Sequence, residues 1–154
     1  MMISIRSATL DELPTLKAFE QGIVLAERPM DPTLKPEPIS YYDLEALIRS
    51  KDADVAVAEL DGHLGASGYA QKRRSKPYVS PDYQAYIGFL YVAPEHRGKG
   101  INRLILDHLF DWARTNGLPE VHLTVYPSND AAMRAYEKAG FQPYLTEMRL
   151  SLEE

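Results

Sequence analysis

Cysteine is absent from this 154-residue chain, so thiol catalysis, Cys-ligated zinc and disulfide scaffolding are excluded together. Histidine is scarce. The four present are scattered, without a His-Glu-x-x-His or similar spacing, which argues against a metal site. Long apolar runs are missing too: no stretch approaches the ~18–20 apolar residues that span a bilayer. The opening "MMISIRSATLDELP" lacks the apolar core of a secretion signal and carries two acids by Glu12. There is no basic surplus either. A net charge of −5 weighs against general affinity for nucleic acid or anionic lipid, while leaving room for a local basic pocket. The expectation is a cytoplasmic protein with no membrane and no nucleic-acid partner.

What is present suits one domain over residues 1–154, long enough to bury a core without staples. No repeat, low-complexity tract or linker divides it. Ile3 and Ile5 alternate with polar neighbours, the period of a half-buried strand. Asp11 is the expected N-cap of a following helix, preferred over Thr9 because it sets Pro14 in the first turn. Leu16, Phe19 and Ile23 form that helix's apolar stripe. Residues 27–40, with four prolines, read as a loop, and Ser40 with Asp43 as a capping box for a short helix. Val55 and Val57 begin a strand, and Asp61-Gly62 turns it into a hairpin through residues 63–72. "YQAYIGFLYVA" is a mostly apolar strand suited to the centre of a sheet. A helix from Gly100 to about Asn116, a strand at 121–125, a helix at 129–138 and a final strand or hairpin arm at 144–152 complete the pattern.

The most informative stretch is "HRGKGINRLIL", residues 96–106. Two glycines one residue apart stand between a strand and a helix. The first N–H groups of a helix lack internal partners, the helix dipole is positive there, and glycine lets the backbone approach a phosphate without a colliding Cβ. Arg97, Lys99 and Arg103 add cations. A surface turn is the plainer reading of one Gly-x-Gly; the flanking elements and the three cations favour a pyrophosphate. Two nucleotide motifs fail here. A P-loop needs Ser or Thr where Gly100 stands, and a dinucleotide fingerprint needs glycine where Arg103 stands.

"LYVAPEHRGKGINRLILDHLFDWARTNG" followed by "VHLTVYPSNDAAMRAYEKAGFQPY" resembles the acyl-CoA-binding core of the GCN5-related N-acetyltransferase (GNAT) superfamily, closely over residues 86–144 and more loosely before. Arg97, Gly100 and Asn102 occupy the three defining positions of the family's Gln/Arg-x-x-Gly-x-Gly/Ala pattern, Asn102 departing from it. The resemblance implies an α/β fold (α+β in some schemes): a mixed, mostly antiparallel sheet, helices on both faces, and a splayed central pair of parallel strands. It implies transfer of an acetyl group from acetyl-CoA, as co-substrate, to a primary amine on a small molecule or peptide, by direct attack on the thioester. It assigns the pyrophosphate to Arg97, Gly98, Lys99, Gly100, Ile101, Asn102 and Arg103, the pantetheine to the backbone of Leu90, Tyr91 and Val92 with Asn129 in support, and the leaving thiolate to Tyr136. A backbone N–H on that strand would also serve the oxyanion. No metal is implied, and a homodimer is suggested.

The residues alone give these roles rivals. Asn129, Ala132, Met133 and Tyr136 share one helix face, yet a core tyrosine and an N-capping asparagine would look the same. A lysine-like amine needs about 4.6 kcal/mol to shed its proton at pH 7. The carboxylate that many family members place on the central strand is absent, Gly88 and Phe89 standing there instead. Glu27, Asp31, Tyr86 and His122 are candidate bases, none assigned. Gly88 reads as opening a pocket, Lys72-Arg73-Arg74-Lys76 as a solvated hairpin tip, and loop 27–40 with Tyr41 and Tyr42 as an acceptor-facing lid. The missing strand acid leaves an alternative function, a CoA-binding sensor or interaction module without turnover.

Overall fold

Asp61 and Gly62 both adopt positive φ, 50° and 87°, the tight turn that Asp-Gly favours between strands. It joins β2 (Ala53–Leu60) to β3 (His63–Arg74) in the computed structural model, which describes residues 1–153. The edge strand β1 (Ile3–Ser7) pairs antiparallel with β2, and β4 (Tyr83–Val92) antiparallel with β3. A short β5 (Val121–His122) pairs parallel with β4, so the sheet order is β1-β2-β3-β4-β5.

Alternation along the strands sends side chains to two cores. On one face, α1 (Leu13–Glu27) and α2 (Leu44–Arg49) bring Leu16, Phe19, Ile23, Leu44 and Leu47 onto Val55, Val57, Tyr69 and Phe89. On the other, α3 (Ile101–Thr115) lays Ile101, Ile105, Leu106 and Leu109 on Ala56, Ala58, Ala66, Ala70 and Ile87. Each of those four α3 side chains is fully buried, contributing about 1.5–3 kcal/mol. The small residues opposite let the helix approach the sheet. The fourth helix, α4 (Asp130–Lys138), packs Tyr136, with Ala139 just past its end, against the same core. The mixed sheet with helices on both faces is the expected architecture.

Four local expectations are corrected. Thr9, not Asp11, opens the first helical turn: its backbone N–H donates to Glu12 Oε1 at 2.9 Å, and Pro14 falls at the start of α1 as anticipated. Asp43 alone caps α2, accepting from the Ala46 amide at 3.1 Å, because the Ser40 hydroxyl donates to Glu20 instead. The strand expected at 121–125 pairs only at Val121 and His122. Residues 144–152, expected as a strand, join no strand pairing among the described residues.

A β-bulge positions the site. Ser67 faces Tyr91 and Tyr69 faces Gly88, so β4 carries one extra residue between those pairs. Phe89 sits there at φ 59°, a costly conformation for a bulky residue. The fully buried Ser67 hydroxyl donates to the Phe89 carbonyl at 3.1 Å, holding the bend. Consequently Ile87 packs toward α3 whereas Phe89 packs toward α1. Beyond Tyr86, β4 turns away from β5.

Candidate active site

The loop between β4 and α3 is built from backbone. Gly98 and Gly100 both take φ 77°, and Gly100 caps α3 without a side-chain hydrogen bond. Among the described residues the amides from Gly98 to Arg103 donate no hydrogen bond, leaving a run of unpaired N–H groups at a helix N-terminus. A Cβ at either glycine would meet nothing, so the loop's outer side is open. Ile101 is buried in the core, which anchors this turn from beneath.

The cations are arranged differently from the sequence expectation. Arg97 turns back: its Nε donates to the Val92 carbonyl at 2.9 Å and its amide to Pro94 O at 3.3 Å. It ties the loop to the end of β4. Arg103 pairs with Asp107 at 2.9 Å and reaches the Lys138 carbonyl at 3.5 Å, joining α3 to α4. Lys99 is exposed and has no ion pair among the described residues. Asn102 is half-buried in the first turn of α3.

Leu90, Tyr91 and Val92 lie past the bulge. Tyr91 faces Ser67, and the Ala93 amide donates to Gly65 O at 2.8 Å, so the polar backbone of Tyr91 and Ala93 points to β3. By alternation, that of Leu90 and Val92 points the opposite way, where β5 no longer pairs. The result is a strand edge whose amides are free. Gly88 does not open a pocket: a Cβ there would come within 2.8 Å of the Tyr69 ring, which fills the space.

Tyr136 on α4 packs edge-on against Phe141, with ring centroids 6.1 Å apart. Its hydroxyl makes no hydrogen bond among the described residues. Burial, then the charge of Glu27 and the nearby Tyr86, pushes it up to about 12. A phenol so held stays protonated and can donate. Asn129 Oδ1 accepts from the Ala132 amide at 3.2 Å, capping α4 and leaving only its Nδ2 free.

Glu27, at the end of α1, lies close enough to Tyr136 and Tyr41 to bear on both their hydroxyls. Burial raises its proton affinity and the Asp31 charge raises it further, against a lowering by Tyr41. The Tyr41 hydroxyl is buried without a hydrogen bond of good geometry. Asp31 behaves oppositely. It accepts from the Thr33 hydroxyl and from Tyr126, and from the Thr33 amide at 2.9 Å, which brings its carboxyl to about 2. The two neighbouring acids are thus pushed apart, Glu27 toward its protonated form and Asp31 toward its charged form. His122 is engaged with Glu120 at 3.1 Å, and Tyr86 with Thr124 at 2.9 Å.

Glu20 was not visible as a functional residue in the sequence. It is buried in α1, where it accepts from the Ser40 hydroxyl and from the amides of Tyr41 and Tyr42 at 2.9 and 2.8 Å. It fastens the segment after the proline-rich loop to the helix beneath. Tyr41 and Tyr42 thereby edge a hollow of about 340 Å³ that Tyr69 and Arg73 also line. Lys72, Arg73, Arg74 and Lys76 are exposed, as expected of a solvated tip, and the Arg73 guanidinium also stacks 3.8 Å from the Tyr86 ring centroid.

Free amides at a glycine turn, a splayed strand edge and a half-buried phenol are the parts of the candidate site. The profile of the Acetyltransferase (GNAT) family matches residues 22–141. The chain belongs to that family. It is similar to a streptothricin acetyltransferase of Streptomyces lavendulae, 37% identical over 126 residues, which make up 78% of this chain and 63% of that one. The chain thus spans less than two thirds of that relative. Its GNAT fold matches a predicted acetyltransferase of Clostridium acetobutylicum solved with acetyl-CoA, with TM-score 0.77, 19% identity, and 98% and 97% of the two chains covered. It also matches AAC(6′)-Iy in complex with the bisubstrate analogue CoA-S-monomethyl-acetylneamine, with TM-score 0.76, 15% identity, and 99% of each chain covered. In the described part of this chain no helix is long and apolar enough to cross a membrane.

Proposed function

We propose that the protein transfers an acetyl group from acetyl-CoA to a primary amine on a small cationic molecule. The observation that carries this reading is the placement of Glu27 and Tyr136, near enough to influence each other, at the opening where β4 leaves β5. One is a carboxyl with raised proton affinity and the other a phenol that stays protonated, the pair that amine acylation requires. When bound, acetyl-CoA supplies an acyl group activated by a thiol leaving group.

The chain's own groups divide the work. Amides 98–103, with Lys99, hold the diphosphate, and the free amides of Leu90 and Val92 align the pantetheine arm like an added strand. Glu27 takes a proton from the acceptor's ammonium group, exposing the lone pair that attacks. Tyr136 gives its proton to the sulfur as the C–S bond breaks and regains one from solvent. Asp31, kept ionised, attracts the acceptor's positive charge without competing for its proton. The names of the streptothricin relative and of the aminoglycoside N-acetyltransferase neighbour support a small-molecule acceptor.

Release of free thiol from acetyl-CoA, followed with a panel of polyamines, aminoglycosides and peptide N-termini, tests the reading. Turnover with the cationic small molecules is expected. Binding of acetyl-CoA with no turnover across the panel would contradict it and favour a sensor.

A further inference from the structure

The cations at the end of β3 divide between the two faces of the sheet. Lys72 and Arg74 pair across the ladder with Ala85 and Tyr83, on the α3 side, and both lie over the Tyr83 ring. Arg73 falls on the opposite face, with Tyr69, Gln71 and Tyr86. Its side chain is exposed, yet it folds back along its own strand. The guanidinium lies 3.8 Å from the Tyr86 ring centroid, Nε donates to Gln71 Oε1 at 3.1 Å, and Nη2 donates to the Tyr69 hydroxyl at 3.3 Å.

All three partners are neutral. Among the described residues Arg73 has no carboxylate within ion-pair distance. Nη1 and the second N–H of Nη2 remain, side by side, the edge that grips a planar acceptor with two oxygens. Stacking fixes the plane of that edge in advance, so little side-chain freedom is lost when a ligand arrives.

The edge belongs to the hollow of about 340 Å³, which Tyr69, Gln71 and Arg73 line from the strand and Asp43 lines from the start of α2. Tyr42 stands between, packed edge-on against Tyr69 at 5.6 Å and Phe89 at 5.4 Å. The hollow adjoins the candidate site at two points. Tyr86, beneath the guanidinium, meets Thr124 at 2.9 Å, two residues past the last pairing of β4 with β5. Tyr41, on the rim, is the residue on whose hydroxyl Glu27 bears.

We propose that this hollow is a second subsite for the acceptor, where Arg73 binds a carboxylate, so that the acceptor is an amino acid carrying a further amine. The position of the reacting amine rests on the acetyl-transfer reading; the carboxylate subsite does not. Asp43 on the facing wall disfavours a molecule that is only anionic and suits one that keeps positive charge beside its carboxylate. A dibasic amino acid satisfies both walls and remains cationic overall, in keeping with Asp31.

L-lysine and L-lysinamide share a carbon skeleton and both amines and differ at the carboxylate, which makes them suitable probes. Isotopically labelled protein saturated with coenzyme A is titrated with each, and the arginine Nε–H signals are followed by NMR. L-lysine should bind at least about tenfold more tightly than L-lysinamide and shift the Arg73 signal. In Arg73→Gln that preference should shrink to about twofold or less. Arg74→Gln removes the same charge from the other face of the strand and should keep the preference, separating a built contact from general attraction. Thermal melting confirms that each variant folds. With acetyl-CoA present, Arg73→Gln should raise KM for L-lysine about tenfold and leave KM for acetyl-CoA unmoved. Equal binding of the two probes by the native protein overturns the proposal. So does a preference that survives Arg73→Gln, or one that Arg74→Gln abolishes as fully. A preference retained without any thiol release upholds the subsite and overturns the acetyl-transfer reading instead.

Discussion

The two ends of the candidate site are built in opposite ways. The donor end is one contiguous stretch, residues 90–103, and its chemistry is main-chain: unpaired amides, two glycines at φ 77°, and a bulged strand. The acceptor end is assembled from side chains far apart in sequence, with Tyr126 and Asp31 separated by 95 positions. Backbone recognition suits a part shared by every donor, a diphosphate and an amide-bearing arm. Side-chain recognition suits the part that must differ from one acceptor to another. In the proposed reading Tyr136 stands where the two meet.

The largest effect is expected at that junction. Tyr136→Phe should lower kcat about 10²–10³-fold while leaving KM for acetyl-CoA within a few-fold, because the hydroxyl acts as the thiolate forms. Steady-state kinetics with both substrates varied checks this. An unchanged kcat, with chemistry limiting, would remove the acid role. Glu27→Gln comes next, with about a 10²-fold loss of kcat/KM for the amine. The native enzyme should lose activity as pH falls through the raised Glu27 value, a limb that Glu27→Gln abolishes. Asp31→Asn should keep the limb and raise KM for the amine, since Asp31, near 2, stays ionised throughout.

Gly100→Ala probes the donor end alone. An alanine at φ 77° is strained by about 1–2 kcal/mol even though its Cβ meets nothing, so acetyl-CoA should bind roughly tenfold more weakly. KM for the amine should not move. If Glu27→Gln and Gly100→Ala each disturbed both substrates equally, the division between the ends would fail.

The smallest effect belongs to the scaffold that both ends share. His108 on α3 meets Asp54 on β2 at 2.8 Å. The Asp54 hydrogen bond chiefly raises His108, outweighing burial; burial raises Asp54, but the His108 and Ser7 hydrogen bonds and the His108 charge together bring it down. A raised histidine contributes fully below its unfolded value of 6.5 and fades as pH rises through the folded one. A lowered aspartate contributes fully above 3.8 and fades as pH falls through its folded value. The Tm gap between native protein and His108→Gln should therefore be widest at mildly acid pH and shrink on the alkaline side. A gap that grows with pH would contradict the assignment.

The same contrast explains what the sequence could reveal. The Asp61-Gly62 hairpin, the glycine loop and the span of α3 are local, written in neighbouring residues. The bulge at Phe89 is not, since "YIGFLYV" reads as an uninterrupted apolar strand and only the buried Ser67, 22 positions away, shows why it bends. The charge of Arg97 was visible in the sequence, whereas its bond to the Val92 carbonyl was not. Glu20 gave no signal in the sequence and Glu27 was one of several unassigned acids; burial by distant chain makes Glu20 an anchor and raises the proton affinity of Glu27. Residues 144–152 carry a strand's alternation without a partner in the fold, so pattern alone overstated the sheet.

Titrating isotopically labelled protein with coenzyme A, and following the backbone amides by NMR, tests the donor end most directly. The amides of Gly98 to Arg103 should show the largest shifts, with Leu90 and Val92 next. Saturable binding that leaves those amides unmoved, with its largest shifts elsewhere, would contradict it.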